Sequence, residues 1–593
     1  MDNQRNIILA VLLTALVLFG WDAAVGYFYP NADTPAERVA QGGADEAVSP
    51  VKPTREGGLR TPEDIALERR DLETALADGS GRVPIAAPGL TGSINLTGAV
   101  IDDLVTPHHR ETVEKDSGPV RIFSPAGTPA QHFAQLGWVG SDAAPNAQTR
   151  WNLASGSTLA PGSPVTLQTS RGGMTFEITY AIDEDYLITA RQTVTNRSGS
   201  ATEIRPFGLI NRTEATASLD TWLVHSGPIG NFADSVSFGP DYDEVSEAPR
   251  GVVDMAGRSG FLGFTDVYWM SALAPAEFAA EGAFRSLGDG IYRADLLYPQ
   301  VTLPAGRSLT NTTYLFAGAK EADVLDRYEE MGISKFGLAI DWGWFRWFEK
   351  PIFALLKWLF ELVGNFGVAI ILLTVIIRAI LFPIAQRQFR SMAQMRAVQP
   401  KMKAIQERYK DDKQKQQQEI MKLYKDEGVN PLGGCLPIFL QIPIFFALYK
   451  VLMLAIEMRH QPFALWIRDL SAPDPLHILN LFGLLPFEPP GFLAIGILAV
   501  LLGITMWLQF KLNPAQMDPV QQQVFMFMPW ILMFVMAPFA AGLLIYWITS
   551  NLLTIAQQAY LYSKHPQLKA QAEKDAEDKK RAAKRDKSAK GKA

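Results

Sequence analysis

The sequence predicts a polytopic α-helical membrane protein carrying a large β-sandwich domain outside the cytoplasm. Three observations predict it. Gly364–Phe382, GNFGVAIILLTVIIRAILF, is a 19-residue apolar run, enough for a helix to cross roughly 30 Å of hydrocarbon at 1.5 Å per residue. From about Leu90 to Lys320 the texture is different: short β-rich runs such as Met174–Ile182, Tyr186–Asn196 and Ser308–Phe316 alternate with Gly, Pro, Asn and Asp turns, the pattern of a sandwich. Charge, finally, is segregated. The net charge is only −6, yet Gln386–Gly428 carries 11 basic and 6 acidic residues and Lys564–Ala593 carries 11 and 5. Those two segments sum to +11, so the rest of the chain is −17, and the positive-inside rule puts both on the cytoplasmic side.

Taken in order, Ile7–Phe28 is apolar and reads as an uncleaved signal-anchor (residues 1–29) with its N-terminus inside, the competing reading being a cleaved signal at Ala23–Gly26. Residues 30–89 are rich in Pro, Gly, Ala and charge and read as a tether, with a short helix at Pro62–Leu76. Residues 90–335 are the sandwich. His108, His109 and its scattered carboxylates show no metal spacing, nucleophile elbow or phosphate loop, so they read as surface residues. The single cysteine, Cys435, excludes an intramolecular disulfide. Residues 336–357 crowd Trp342, Trp344, Phe345, Trp347 and Phe348 beside charges, as in a helix lying in the headgroup layer.

The second span occupies 358–383. Arg378 lies one turn inside its end, where a charge costs roughly 2.5–3.5 kcal/mol on insertion scales. Two readings of it stand: a functional charge, or a side chain snorkelling to the nearby interface. Residues 384–429 read as a cytoplasmic helical hairpin with methionine-rich seams (Met392, Met395, Met402), and Pro400 as a kink in its first arm. Asn430–Gly434 breaks the helix, and three elements follow before the last span. Cys435–Ala455 crosses outward with Gln441 as its polar residue, Phe492–Phe510 returns, and Val524–Ala537 is a short 14-residue helix. Phe539–Tyr562 is the last span. The count is six membrane helices with both termini inside; residues 430–562 hold the third to the sixth, and 563–593 form a basic tail suited to rRNA, anionic lipid or orientation alone.

Several long motifs then point to one family. NPLGGCLPIFLQIPIFFALYKVL (Asn430–Leu452), PFALWIRDLSAPDP (Pro462–Pro475), GLLIYWITSNLLTIAQQ (Gly542–Gln558) and TVIIRAILFP around Arg378 closely resemble the YidC/Oxa/Alb family of membrane protein insertases. The resemblance covers roughly Gly364 to Tyr562, and the long acidic outer domain fits the Gram-negative form. It implies a bacterial inner-membrane location with residues 30–335 in the periplasm. It also implies a five-helix core enclosing a hydrated groove open to the cytoplasm and to lipid. Arg378 matches the groove's arginine, Thr374 a substrate-facing threonine, and Tyr546 the first of two tyrosines in the last span. Trp547 stands where many relatives have the second, which keeps the aromatic ring and loses a hydroxyl. Gln441, Thr549 and Ser550 would add neutral polar contacts, or serve in ordinary interhelical hydrogen bonding. Leu481–Gly491 reads as an insertion relative to the family.

The implied partners are nascent membrane proteins, membrane lipids, the Sec translocon, and the ribosome through the hairpin and tail. No DNA partner is implied, nor any cofactor, metal or catalytic residue. Two other function classes fit a charged membrane bundle. A solute transporter would show internal repeats, of which the sequence has none. A receptor sensing through its periplasmic domain would need that domain, whereas an insertase could lose much of it.

Overall fold

The computed structural model describes residues 72–77, 81–114, 117–218, 225–276, 280–343, 346–410, 412–428, 436–485, 487, 489, 493–512 and 519–564. The expected first anchor, most of the tether, Trp344, Phe345, Cys435 and the tail beyond residue 564 lie outside the described residues.

The outer domain starts earlier than its composition suggests. Arg82–Ala86 is already a strand, paired antiparallel with Thr91–Asn95; Val83 and Ile85 point inward while Pro84 and Ala86 face out. It lies at a sheet edge, where the missing N–H of a proline costs little, and so a Pro-rich stretch read as tether conceals a strand. Among the described residues, ten strands make one sheet and nine the other. In the first sheet Thr202–Thr213 runs antiparallel between His132–Val139 and Ile291–Leu297. Ser308–Ala319 holds the equivalent place in the second, between Trp269–Pro275 and Leu187–Asn196. The two inner faces meet over Trp138, which stacks on Trp151 at 6.4 Å and tilts against Phe176 at 5.1 Å. Gln192, fully buried, donates across the sandwich to the Gly137 carbonyl at 2.8 Å. That bond satisfies an amide that would otherwise be costly there.

Among the described residues, eight helices organise the chain beyond the last strand: α1 (Ala322–Glu330), α2 (Arg346–Val363), α3 (Phe366–Arg408), α4 (Lys413–Asp426), α5 (Leu436–Leu454), α6 (Ile497–Leu512), α7 (Pro519–Met536) and α8 (Ala541–Lys564). One buried apolar cluster continues from the sandwich through Phe336, Ala339 and Trp342 into these helices. In α2, Ile352, Phe353, Leu356 and Leu359 recur at helical spacing and are buried, while Trp347, Trp358 and Leu362 on other faces are exposed. A helix apolar on its outside as well suits an interface between water and lipid. It ends later than hydropathy suggested, because Gly364 turns the chain at φ +68° and Asn365 caps α3, its side chain accepting from Val368 N at 3.0 Å. Side-chain-bearing residues rarely adopt that φ.

α3 is a single 43-residue helix, about 64 Å long at 1.5 Å per residue. It runs unbroken through Pro383 and Pro400, so the expected boundary at 383/384 marks a change of surroundings along one helix. α4 folds back on its far end, with Lys401 and Glu427 2.5 Å apart and the Tyr424 hydroxyl 3.2 Å from the Met402 sulfur. α7 also extends beyond the expected Val524–Ala537, since Gln521–Gln523 continue its N-terminal turns; glutamine is a good helix former, and hydropathy alone marks only the apolar part. Within the bundle α8 contacts α3, α5 and α6. Among the described residues, Phe366–Gln386 is the one helix long and apolar enough to cross a membrane by length and composition. Pro443–Leu454, Ile497–Lys511 and Met526–Met536 are shorter apolar helices. The expected count of six is therefore not reached by the described helices.

Candidate substrate groove

Two helices bring the expected polar residues together. On α3, Thr374 and Arg378 are four residues apart and share a face; on α8, Tyr546, Ser550 and Thr554 do the same. The two faces meet where the Arg378 guanidinium donates to Ser550 Oγ. Arg378 is partly buried and Ser550 buried, and among the described residues no carboxylate forms a salt bridge with Arg378. Thr374 is buried, with its hydroxyl turned back to its own helix: Oγ1 donates to the Ile370 carbonyl at 2.7 Å. Thr554 makes the same kind of bond to the Ser550 carbonyl at 2.8 Å.

Tyr546 is buried one turn before Ser550. Trp547 is half-buried and meets Phe445 of α5 edge-to-face at 5.2 Å, so its ring packs between α8 and α5. Thr549 is half-exposed on α8. Gln441 falls within α5, but its side chain lies outside the described residues.

The helices are tied to the outer domain by a charged joint. Lys450, at the end of α5, reaches Asp341 through its carboxylate at 2.8 Å and its carbonyl at 2.9 Å. Lys350 and Lys357 of α2 pair with Asp326 and Asp323 of α1. Beyond α5, Arg459 donates to the carbonyls of Arg110 (2.7 Å) and Glu111 (3.0 Å) on the sandwich, its guanidinium over the Trp269 ring at 5.4 Å. An open cavity of about 800 Å³ lies here, lined by His108, Arg110, Glu457, Arg459, His460 and Arg468 among others. His109, expected at the surface, is instead held by the Tyr186 hydroxyl (3.2 Å) and Glu321 (3.4 Å). Burial pushes the Glu457 carboxyl up to about 7, with Lys357 pulling the other way. Glu349 of α2 is likewise pushed up to about 7 by burial.

Comparison with known proteins decides the family. A family described as "60Kd inner membrane protein" matches residues 358–569, and one described as "YidC periplasmic domain" matches 82–355. A protein of Zymomonas mobilis named membrane protein insertase YidC is 43% identical over 577 residues, covering 95% of this chain and 96% of that one. The protein of the same name from Nitrobacter hamburgensis is 42% identical, covering 95% of each. The chain belongs to the YidC family. A crystal structure described as an active YidC insertase with the first transmembrane domain resolved aligns over 82% of this chain and 96% of its own. Its identity is 18% and its TM-score 0.34, which leaves the assignment to the sequence matches. The YidC relatives are named insertases, not catalysts, and the family descriptions give an inner-membrane protein with a periplasmic domain.

Two features of this YidC-family chain escape sequence reasoning. Asn551, buried beside Ser550, donates to Thr505 Oγ1 of α6 at 3.1 Å; a polar residue opposite a polar residue in two apolar helices was the available signal. The joint at Lys450, Asp341 and Arg459 left no local signal, because each partner is an ordinary charge in its own segment.

Proposed function

We propose that this chain inserts nascent membrane proteins by moving their short polar tails across the bilayer through a groove whose cation is Arg378. It then releases their helices into lipid and assists their folding, alone or beside the Sec translocon. The observation that carries the reading is the Arg378–Ser550 contact. A guanidinium inside an apolar helix is held by a neutral hydroxyl, with no carboxylate already paired to it among the described residues. An acidic residue near the membrane centre costs roughly 2.5–3.5 kcal/mol. An opposite charge at 4 Å is worth about 4 kcal/mol at an effective dielectric of 20. The two are comparable, so Arg378 captures an acidic tail without trapping it. Tyr546, Thr549, Ser550 and Gln441 offer the tail neutral hydrogen-bonding partners partway, and Thr374 and Trp547 shape the wall.

The proposed topology has six spans, counting Ile7–Phe28, with both termini in the cytoplasm and residues 30–335 in the periplasm. The α3–α4 arm and the basic tail then face the cytoplasm, where their charge suits the ribosome and anionic lipid. The test is reconstitution in liposomes with a small single-span substrate bearing an acidic outer tail, read as its protease-protected fraction. Protection should require the protein, fall about tenfold or more in Arg378→Ala, and recover in part in Arg378→Lys, which restores charge without the planar fork. Protection undiminished in Arg378→Ala would return Arg378 to interfacial snorkelling. No protection above empty liposomes would remove the insertase reading.

A further inference from the structure

The chain leaves and rejoins the mouth of α6 at Ile478 and Ile495, which are held together there. Ile478 N donates to the Ile495 carbonyl at 3.0 Å, and His477 bridges to Gly496 just before α6 begins. Asp474, buried, locks that mouth: its carboxylate accepts from Leu498 N at 2.8 Å and from the Trp466 ring N–H at 3.0 Å. A Cβ on Gly496 would lie 2.5 Å from Asp474 Cβ, so the close approach requires glycine there. The excursion therefore leaves the helix at a fixed place, beside the start of the apolar stretch Ile497–Lys511.

What the excursion presents is unusual for a loop in water. Ile478, Leu479, Leu481, Phe482, Leu484, Leu485 and Phe487 are all 40% exposed or more, Leu484 reaching 81%. The sequence from His477 to Gly496 carries one charged residue, Glu488. Nor is this a slack chain. Buried Asn480 accepts from Gly483 N at 2.9 Å through its side chain and from Leu485 N at 3.0 Å through its carbonyl. Around it Leu481 and Phe482 sit at φ +50° and +62°, a region disfavoured for residues with side chains. The turn spends conformational preference to keep apolar groups facing outward, where contiguous apolar surface marks an interaction site.

We propose that Ile478–Leu485, together with Phe487, forms a wedge that buries its apolar side chains in the outer leaflet of the bilayer and fixes the depth of the α5–α6 connection. Lipid is the occupant because the wedge is continuous with the lipid-compatible face of α6, where Leu501, Ile504 and Leu508 are exposed in turn. The wedge rests on the reading that α6 crosses the membrane.

The experiment places a spin label at Leu484→Cys, or separately Phe482→Cys, in full-length protein carrying Cys435→Ser. Each is reconstituted in vesicles of phosphatidylethanolamine and phosphatidylglycerol. Collision with oxygen is compared with collision with a water-soluble nickel chelate. Leu501→Cys on α6 and Ser163→Cys on an exposed sandwich turn are the lipid and water references. The expected result is an oxygen-to-nickel ratio at both wedge sites on the Leu501 side of parity, opposite to Ser163. A ratio like that of Ser163 overturns the wedge while leaving the spanning reading intact. A label shielded from both reagents means a protein partner covers the loop and also overturns it. A water-like ratio at Leu501 itself overturns the spanning reading on which the wedge depends.

Discussion

Arg212 of the sandwich and Arg378 of the helical bundle are held in opposite ways. In the sandwich, Arg212 is paired with Asp266, whose carboxylate also accepts from Ser226 Oγ at 2.6 Å and Ser218 N at 2.9 Å. Burial pulls the Asp266 carboxyl up, but Arg212 and those hydrogen bonds outweigh it and hold it below the usual carboxylate range. Arg293 and Arg285 share Asp295 in the same manner. In the bundle, Arg378 has a serine hydroxyl. A cation whose countercharge is built in is a structural part; one held by a neutral group keeps its attraction for an incoming anion.

The contrast is broken most severely by removing a cation from each region. Arg212→Ala leaves Asp266 buried without its paired cation, which costs about 3–5 kcal/mol, read as a lower melting temperature and earlier proteolysis of the outer domain in the full-length protein. Arg378→Ala removes one hydrogen bond to a hydroxyl and should change stability by about 1 kcal/mol or less while insertion falls. Equal destabilisation by the two variants would mean that Arg378 is structural as well.

Much of this contrast could be read before any fold was known, and the unread part has one physical character. Alternation over Met174–Ile182 and Ser308–Phe316 announced strands that are present, and the apolar run around Arg378 announced its helix. Arg378 and Ser550 were both named, but their bond joins residues 172 positions apart, and periodicity carries no information on such pairs. The same holds for Lys450 with Asp341 and for His109 with Glu321. Local signals misled in the other direction at Arg82–Ala86, where proline composition masked an edge strand. At Pro383 a helix breaker sits inside a helix that neighbouring turns carry past it.

The joint between the two regions gives a pH-dependent version of the comparison. Glu457 and Glu349 are pushed up to about 7 from an ordinary 4.5, so the folded joint binds protons that the unfolded chain has released. Their contribution is complete below pH 4.5 and is lost as the pH rises towards 7. The melting temperature of the full-length protein should accordingly be lower at about pH 8 than at about pH 5. Glu457→Gln, which keeps the neutral form at every pH, should flatten that slope. Identical slopes in the two proteins would place the pH dependence elsewhere.

Thr374 provides the finest test, because its family role and its geometry pull apart. The resemblance makes it substrate-facing, yet its hydroxyl is turned to the Ile370 carbonyl on its own helix, and the side chain is buried. A hydroxyl bonded back to the preceding turn adds little to a helix. Thr374→Val keeps the branched shape and removes only that bond, so stability should move by less than about 1 kcal/mol and insertion by about twofold. A loss as large as that of Arg378→Ala would show that the hydroxyl leaves Ile370 during transport and meets the substrate. In that case α3 contributes a second polar contact one turn from its cation, and the neutral partners would no longer come from α5 and α8 alone.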